Sequence, residues 1–254
     1  MAGAVPRISA DQSGDEYWHE TRRPLACLLF LAPLLVIYEA GVLWTGGEHA
    51  DVRNRADFWM RSGLQIAGLE HTLILPAAVV AILLVWHLCG RYAWKVRPSS
   101  FPGMLAESLL FAFALVLVGQ LHGRLSTGGA LVPSTLAISR ETAALAVSFL
   151  GAGLYEEVLF RLMLLPAVYA GLRLARLTPA WAGGLAVLLT GVAFAAAHHV
   201  EAPHEAVPAA VFAFRATAGV FFAGLFYWRG FGITVGTHAA YDLLVGIVLT
   251  DQAV

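Results

Sequence analysis

The sequence predicts an all-α fold, a polytopic transmembrane helical bundle of about seven spans, or eight if one helix is split or re-entrant. Three observations predict it. Hydrophobic residues make up 59% of the 254 and charged residues only 13%, where a soluble domain carries roughly 25% charged residues. The apolar residues fall in runs close to the ~20 needed to cross a bilayer as helix. Short stretches rich in Arg, Gly, Pro or Ser separate the runs, as loops between spans would.

The remaining bulk properties narrow the function. A net charge of −1 argues against a nucleic-acid partner. Of the sixteen basic residues only Lys95 is lysine, a bias that suggests an Arg-rich bacterial coding background. Cys27 and Cys89 lie in apolar runs and predict neither a disulfide framework nor a cysteine metal site. The first apolar run begins only at Leu25, after a leader containing Asp11, Asp15, Glu16 and Glu20. It reads as an uncleaved anchor rather than a signal peptide.

In chain order, residues 1–24 form a polar segment expected to be mobile. Arg22-Arg23-Pro24 opens a first span over 25–44, with Glu39 near its far end at an expected interfacial position. Residues 45–63 combine Arg53, Arg55 and Arg61 with Phe58 and Trp59, which predicts an amphipathic piece along the membrane surface. A second span covers 69–89, with Glu70 and His71 at an interface, and 90–102 make a basic turn. A third covers 103–121, with Glu107 again near an interface, and the Gly-, Ser-, Thr- and Pro-rich residues 122–140 read as a loop.

The next segment, 141–172, has 32 residues. It exceeds the hydrocarbon thickness and is expected to tilt, to kink near Pro166, or to break in two. A basic loop at 173–179 leads to a fifth span over 181–200 and a loop with Pro203, His204, Glu205 and Pro208. A sixth span, 209–228, contains Arg215, and Arg229-Gly230 turns tightly into a seventh over 231–249. Nine Arg and Lys fall in loops on the N-terminal side against five on the other, which favours a cytoplasmic N-terminus.

The chemistry concentrates in the late spans. Glu156-Glu157-Val158-Leu159-Phe160-Arg161 sits in an otherwise apolar run. One charge at the bilayer centre costs roughly 2.5–3.5 kcal/mol on insertion scales, so three together need a reason. Glu157 and Arg161 are four apart, share a helix face and can pair. Glu156 is rotated ~100° away and is left as a spare carboxylate. Phe194 and His198, and His238 and Asp242, are likewise four apart on later spans. A structural ion pair and carbonyl-bonded imidazoles would account for any one of these motifs. All three together predict convergence on an internal wet cavity, because lipid cannot satisfy such groups. His199 and His204 are extra imidazoles that could form a loop metal site, and Arg215 is expected to pair with an intramembrane acid or an interface group.

Glu-Glu-x-x-x-Arg, then Phe-x-x-x-His, then His-x-x-x-Asp, in that order on successive spans, resembles the CPBP family. These are the CAAX-processing and bacteriocin-processing intramembrane proteases, related to the Ras-converting CAAX endopeptidases. The likeness covers about 141–249, including Gly219 to Gly224 and Gly230 on the approach to His238, and leaves the first 140 residues without a signature. It implies one integral membrane domain: a polar segment 1–24, N-terminal spans over 25–140 and a catalytic core over 141–249. It also implies roles. Glu156 would activate water, His198 would hold or polarise that water, and His238 and Asp242 would face the scissile carbonyl. Glu157 and Arg161 would brace the helix, and Phe194 would pack beside His198. Many relatives carry Asn where this chain has Asp242, and an ionised Asp cannot donate to an oxyanion, so Asp242 is expected to orient His238 or to donate when protonated.

The implied function is an intramembrane endopeptidase acting on a membrane-associated protein or peptide, lipidated or C-terminally anchored, in the plasma membrane of a bacterium. The catalytic type stays open between glutamate and metal. No cofactor is favoured; if zinc is held, Glu156, His198 and His238 are the ligands. Two other classes compete. A non-proteolytic scaffold of the same family predicts loss of motif residues, and a proton- or ion-coupled transporter predicts ionisable residues in both halves with repeat symmetry. The motif residues are all present and no repeat is visible.

Overall fold

A computed structural model describes residues 10–45, 52–126, 140–200 and 208–249. Every regular element among them is helical. They are α1 (Ala10–Thr21), α2 (Pro24–Thr45), α3 (Arg55–Ile66), α4 (Ile74–Cys89) and α5 (Ser100–Ser126). Then follow α6 (Glu141–Leu174), α7 (Pro179–Ala197), α8 (Ala209–Arg229) and α9 (Phe231–Val248). Six of these, α2 and α5 to α9, are long and apolar enough to cross a membrane. The chain is an integral membrane protein.

Several boundaries differ from the sequence reading. The span read at 69–89 is helical only as α4, whose 16 residues reach ~24 Å against a hydrocarbon core of ~30 Å. Residues 69–73 lie outside that helix. The span read at 103–121 extends to 27 residues in α5, and the one read to 200 ends at Ala197. The segment expected to be mobile contains α1, whose polar composition hid it. Tyr17 donates to Glu107 at 2.6 Å, and Trp18 meets Trp228 edge to face at 5.4 Å. Arg7, His204 and the loop residues 127–139 lie outside the described residues.

α9 is the axial helix. Phe231 through Ala239 are all buried, while α2, α5 and α8 turn large apolar side chains such as Val36, Phe113 and Trp228 outward. Such a bundle is apolar on both its core and its outer face, as lipid requires. The largest core cluster joins Cys27, Leu31 and Tyr38 of α2 to Val79 and Leu83 of α4, Leu154 and Tyr155 of α6, and Phe231 and Val235 of α9.

Two glycines set the approach of the helices. Gly230, between α8 and α9, has φ +84°, a conformation that favours glycine. It lets the chain reverse directly from one span into the next. Gly153 lies against α9, and a Cβ there would meet Ala239 N at 2.5 Å. Only glycine permits this closeness of α6 and α9.

α6 is continuous but irregular. It leaves α-helical pairing for π-helical pairing at Ala152–Glu156 and again at Val158–Leu164. Wider turns of this kind recur at functional sites. Pro166 falls in the first turn where α-helical pairing resumes, so the residue without an N–H sits where the pairing pattern changes.

Polar groups gather at the two ends. At the N-terminal end, Arg97 pairs with Glu16 and Glu20, and buried Arg229 grips Glu107 through Nε and Nη2. Glu107, expected near an interface, is thus paired within the protein at this end of the bundle. At the opposite end α3 is clamped down by charge. Asp57, fully buried, accepts from Arg53, Arg61 and Tyr38. Glu39 accepts from Arg61 at 3.0 Å and from Tyr155 at 2.6 Å. Glu39, expected near the far end of its span, therefore braces α2, α3 and α6 together at this end.

Candidate active site

The π-helical turns carry Glu156 and Glu157 side by side, both buried, on the stretch that Gly153 presses against α9. Glu157 divides its oxygens. Oε2 lies 2.9 Å from Arg161 Nε, an ion pair without the alignment of a hydrogen bond, since neither atom makes one. Oε1 accepts from His238 Nδ1 at 2.7 Å. That bond fixes the His238 tautomer, because a carboxylate only accepts and Nδ1 must carry the proton.

Arg161 is held from several sides. Its Nη2 donates to Gly219 O of α8 at 3.0 Å. Its guanidinium lies 5.1 Å from the ring centroid of Phe194 and 5.6 Å from that of Phe222. These faces attract a desolvated cation. Phe222 also stacks on the His238 imidazole at 4.4 Å with 16° between planes.

His238 Nε2 then faces Glu156 Oε2 at 3.8 Å and Asp242 Oδ2 at 3.5 Å. His198 approaches from the end of α7. Its Nδ1 donates to Phe194 O at 2.8 Å, and its Nε2 lies 3.6 Å from Glu156 Oε2. Phe194 packs against His198 with ring centroids 4.6 Å apart. Glu156, His198, His238 and Asp242, from three helices, thus meet at one place. Asp242 was expected to orient His238 or to donate when protonated. The shorter, hydrogen-bonded partner is Glu157, and Asp242 stands beside the other imidazole nitrogen.

One contributor escaped the sequence reading. Asn54 is the N-cap of α3, and its Oδ1 accepts from Ala56 N at 2.8 Å. The cap bond fixes which way the amide points. Its Nδ2 is thereby aimed at Glu156 Oε1, to which it donates at 2.8 Å. Glu156 Oε2 is left buried without a hydrogen-bond partner in the protein.

A cavity of about 300 Å³ opens beside this carboxylate, lined by Asn54, Trp59, Ser148, Glu156, His198 and Arg215 among others. Arg53 and Arg55 also line it. Burial works against charge on Arg53, but the hydrogen bond and charge of Asp57 hold its guanidinium above its ordinary range. Arg215 was expected beside an acid or at an interface. It sits instead in this wall, with Nη1 3.2 Å from His199 Nε2. His199 Nδ1 is bonded to Ala195 O, so both its nitrogens are engaged, and His204 lies outside the described residues. Among the described residues no set of three or more His, Cys, Asp or Glu is disposed to hold a metal ion.

Residues 138–244 match the family model described as Rce1-like, type II CAAX prenyl endopeptidase Rce1-like. No curated protein and no solved structure matches the chain.

Proposed function

We propose, from the match of residues 138–244 to the Rce1-like CAAX endopeptidase model, that this chain is an intramembrane endopeptidase of that kind using Glu156 as the base that activates water. The observation carrying the proposal is the division of Glu156. Oε1 is held by Asn54, and Oε2 is turned toward the Nε2 atoms of His198 and His238 at 3.6 and 3.8 Å. Those gaps exceed a direct hydrogen bond and suit a bridging water.

In the proposed reaction Oε2 takes a proton from water as its oxygen attacks the scissile carbonyl. His198, whose Nδ1 proton is given to Phe194 O, accepts from the water at Nε2 and orients it. His238, flanked by the carboxylates of Glu156, Glu157 and Asp242, acts as an imidazolium whose Nε2–H stabilises the negative charge that develops on the carbonyl oxygen. The proton on Glu156 passes to the leaving amine as the C–N bond breaks. Asn54, Glu157 and Arg161 move no proton; they hold the reacting groups in place. The chemistry is written for protein groups and water, and a chelator is expected to leave it unchanged.

The substrate class follows from setting. A buried site under α3 in a membrane bundle suits a membrane-associated protein or peptide, lipidated or C-terminally anchored. The Arg and Lys distribution supports a cytoplasmic N-terminus, and the Arg-rich composition supports a bacterial plasma membrane. The test is to compare the peptide termini in membranes of cells with the wild-type protein and with Glu156→Gln. Termini that appear only with the wild type identify the substrate. Identical termini overturn the proposal.

A further inference from the structure

At the end of the bundle away from Glu156, a cavity of about 360 Å³ is lined by His19, Arg22, Arg23 and Tyr92 together with Trp86, Phe226 and Tyr227. A second cavity, of about 600 Å³, shares Trp86, Phe226 and Tyr227 with it and runs between Ile82 of α4 and Leu162 and Leu165 of α6. The first is cationic and the second almost wholly apolar. Together they form one compartment with a basic head and an oily tail, joined through aromatic residues of the kind that settle at headgroup level.

Among the described side chains, the local charges are not self-neutralised. Glu16 and Glu20 are spent on Arg97, and Glu107 on Arg229. Arg22 donates only to the carbonyl of Tyr227, at 3.1 Å. Among the described side chains, no acid stands within ion-pair distance of Arg22 or Arg23.

We propose that this compartment binds one anionic phospholipid, with its phosphate against Arg22 and Arg23 and an acyl chain in the groove between α4 and α6. A headgroup phosphate accepts from guanidinium in charge-assisted pairs, and basic side chains near the surface each favour anionic lipid. The assignment is independent of whether the protein cleaves peptides.

The test is binding to the full chain in detergent, read by native mass spectrometry and thermal unfolding. The probes are phosphatidylglycerol, phosphatidylcholine with the same acyl chains, and glycerol phosphate. Two arginines predict a preference for phosphatidylglycerol over phosphatidylcholine of about 30-fold. The double substitution Arg22→Gln/Arg23→Gln should bring the ratio close to one, with helical content unchanged. Arg23→Gln alone, which breaks no side-chain hydrogen bond or ion pair among the described residues, should reduce it part of the way. Equal binding of the two lipids overturns the proposal, as does a preference that survives the double substitution. Glycerol phosphate binding as tightly as phosphatidylglycerol would mean a soluble phosphate site and would also overturn it.

Discussion

Glu157 and His238 stand 81 residues apart in sequence and are joined by a 2.7 Å hydrogen bond in the buried centre of the bundle. One carboxylate thus balances Arg161 on its own helix and sets the tautomer of an imidazole on another. Removing it strands two partners at once. Glu157→Ala is expected to cost about 3–5 kcal/mol of stability, the usual result of breaking a buried pair. Unfolding of Glu157→Ala, Arg161→Ala and the double variant gives the coupling. Additive losses would mean that the 2.9 Å contact between the two carries no energy.

Gly153→Ala tests the packing that brings Glu157 to His238. The added methyl would meet backbone of α9 at 2.5 Å, and backbone cannot rotate out of the way. The expected outcome is loss of peptide cleavage together with a lower Tm. An alanine variant with wild-type activity and Tm would show that the close approach is not required.

Asn54 is predicted to matter through its donor and not only through its cap. Asp caps a helix as well as Asn, but a carboxylate cannot donate to Glu156. A hydrogen bond to a charged group contributes about 1.5–3 kcal/mol, so loss of the donor in Asn54→Asp should lower kcat by roughly 10- to 150-fold, and the like charge set against Glu156 should add to that loss and lower Tm. Full activity in Asn54→Asp would leave the residue a cap and nothing more.

What the sequence made legible follows from range. Apolar runs with Glu157 and Arg161, or Phe194 and His198, at helical spacing announced the spans and the motif residues, because those contacts are local. Asp242, one turn from His238, does stand 3.5 Å from its Nε2; the hydrogen bond from Nδ1 to Glu157 is a tertiary contact that spacing could not show. Asn54 was a lone polar residue in a polar connector, 102 positions from Glu156, and carried no periodic signal. α1 was hidden by its polarity, and its docking rests on Glu107 and Trp228 from distant helices and on Arg97 from the connection between α4 and α5.

The N-terminal end makes a prediction about pH. Burial alone would raise the Glu20 carboxyl. Bonds from Ser100 and the Arg97 amide, with the Arg97 charge, outweigh it and hold the group below its ordinary value of 4.5. A depressed acid adds stability that is fully present above that ordinary value and is lost as pH falls through the lower folded value. The Tm in detergent should therefore drop more steeply below pH 4.5 for the wild type than for Glu20→Gln. Parallel profiles would remove Glu20 from the acid response.

The most direct measurement is peptide cleavage by purified wild type and Glu156→Gln, with circular dichroism and Tm recorded on the same samples. The substitution keeps volume and keeps an oxygen that can face Asn54, but it removes the basic oxygen turned toward His198 and His238. The account predicts cleavage by the wild type, with or without chelator, and none by the variant, at unchanged helical content. Cleavage by Glu156→Gln at the wild-type rate would contradict it.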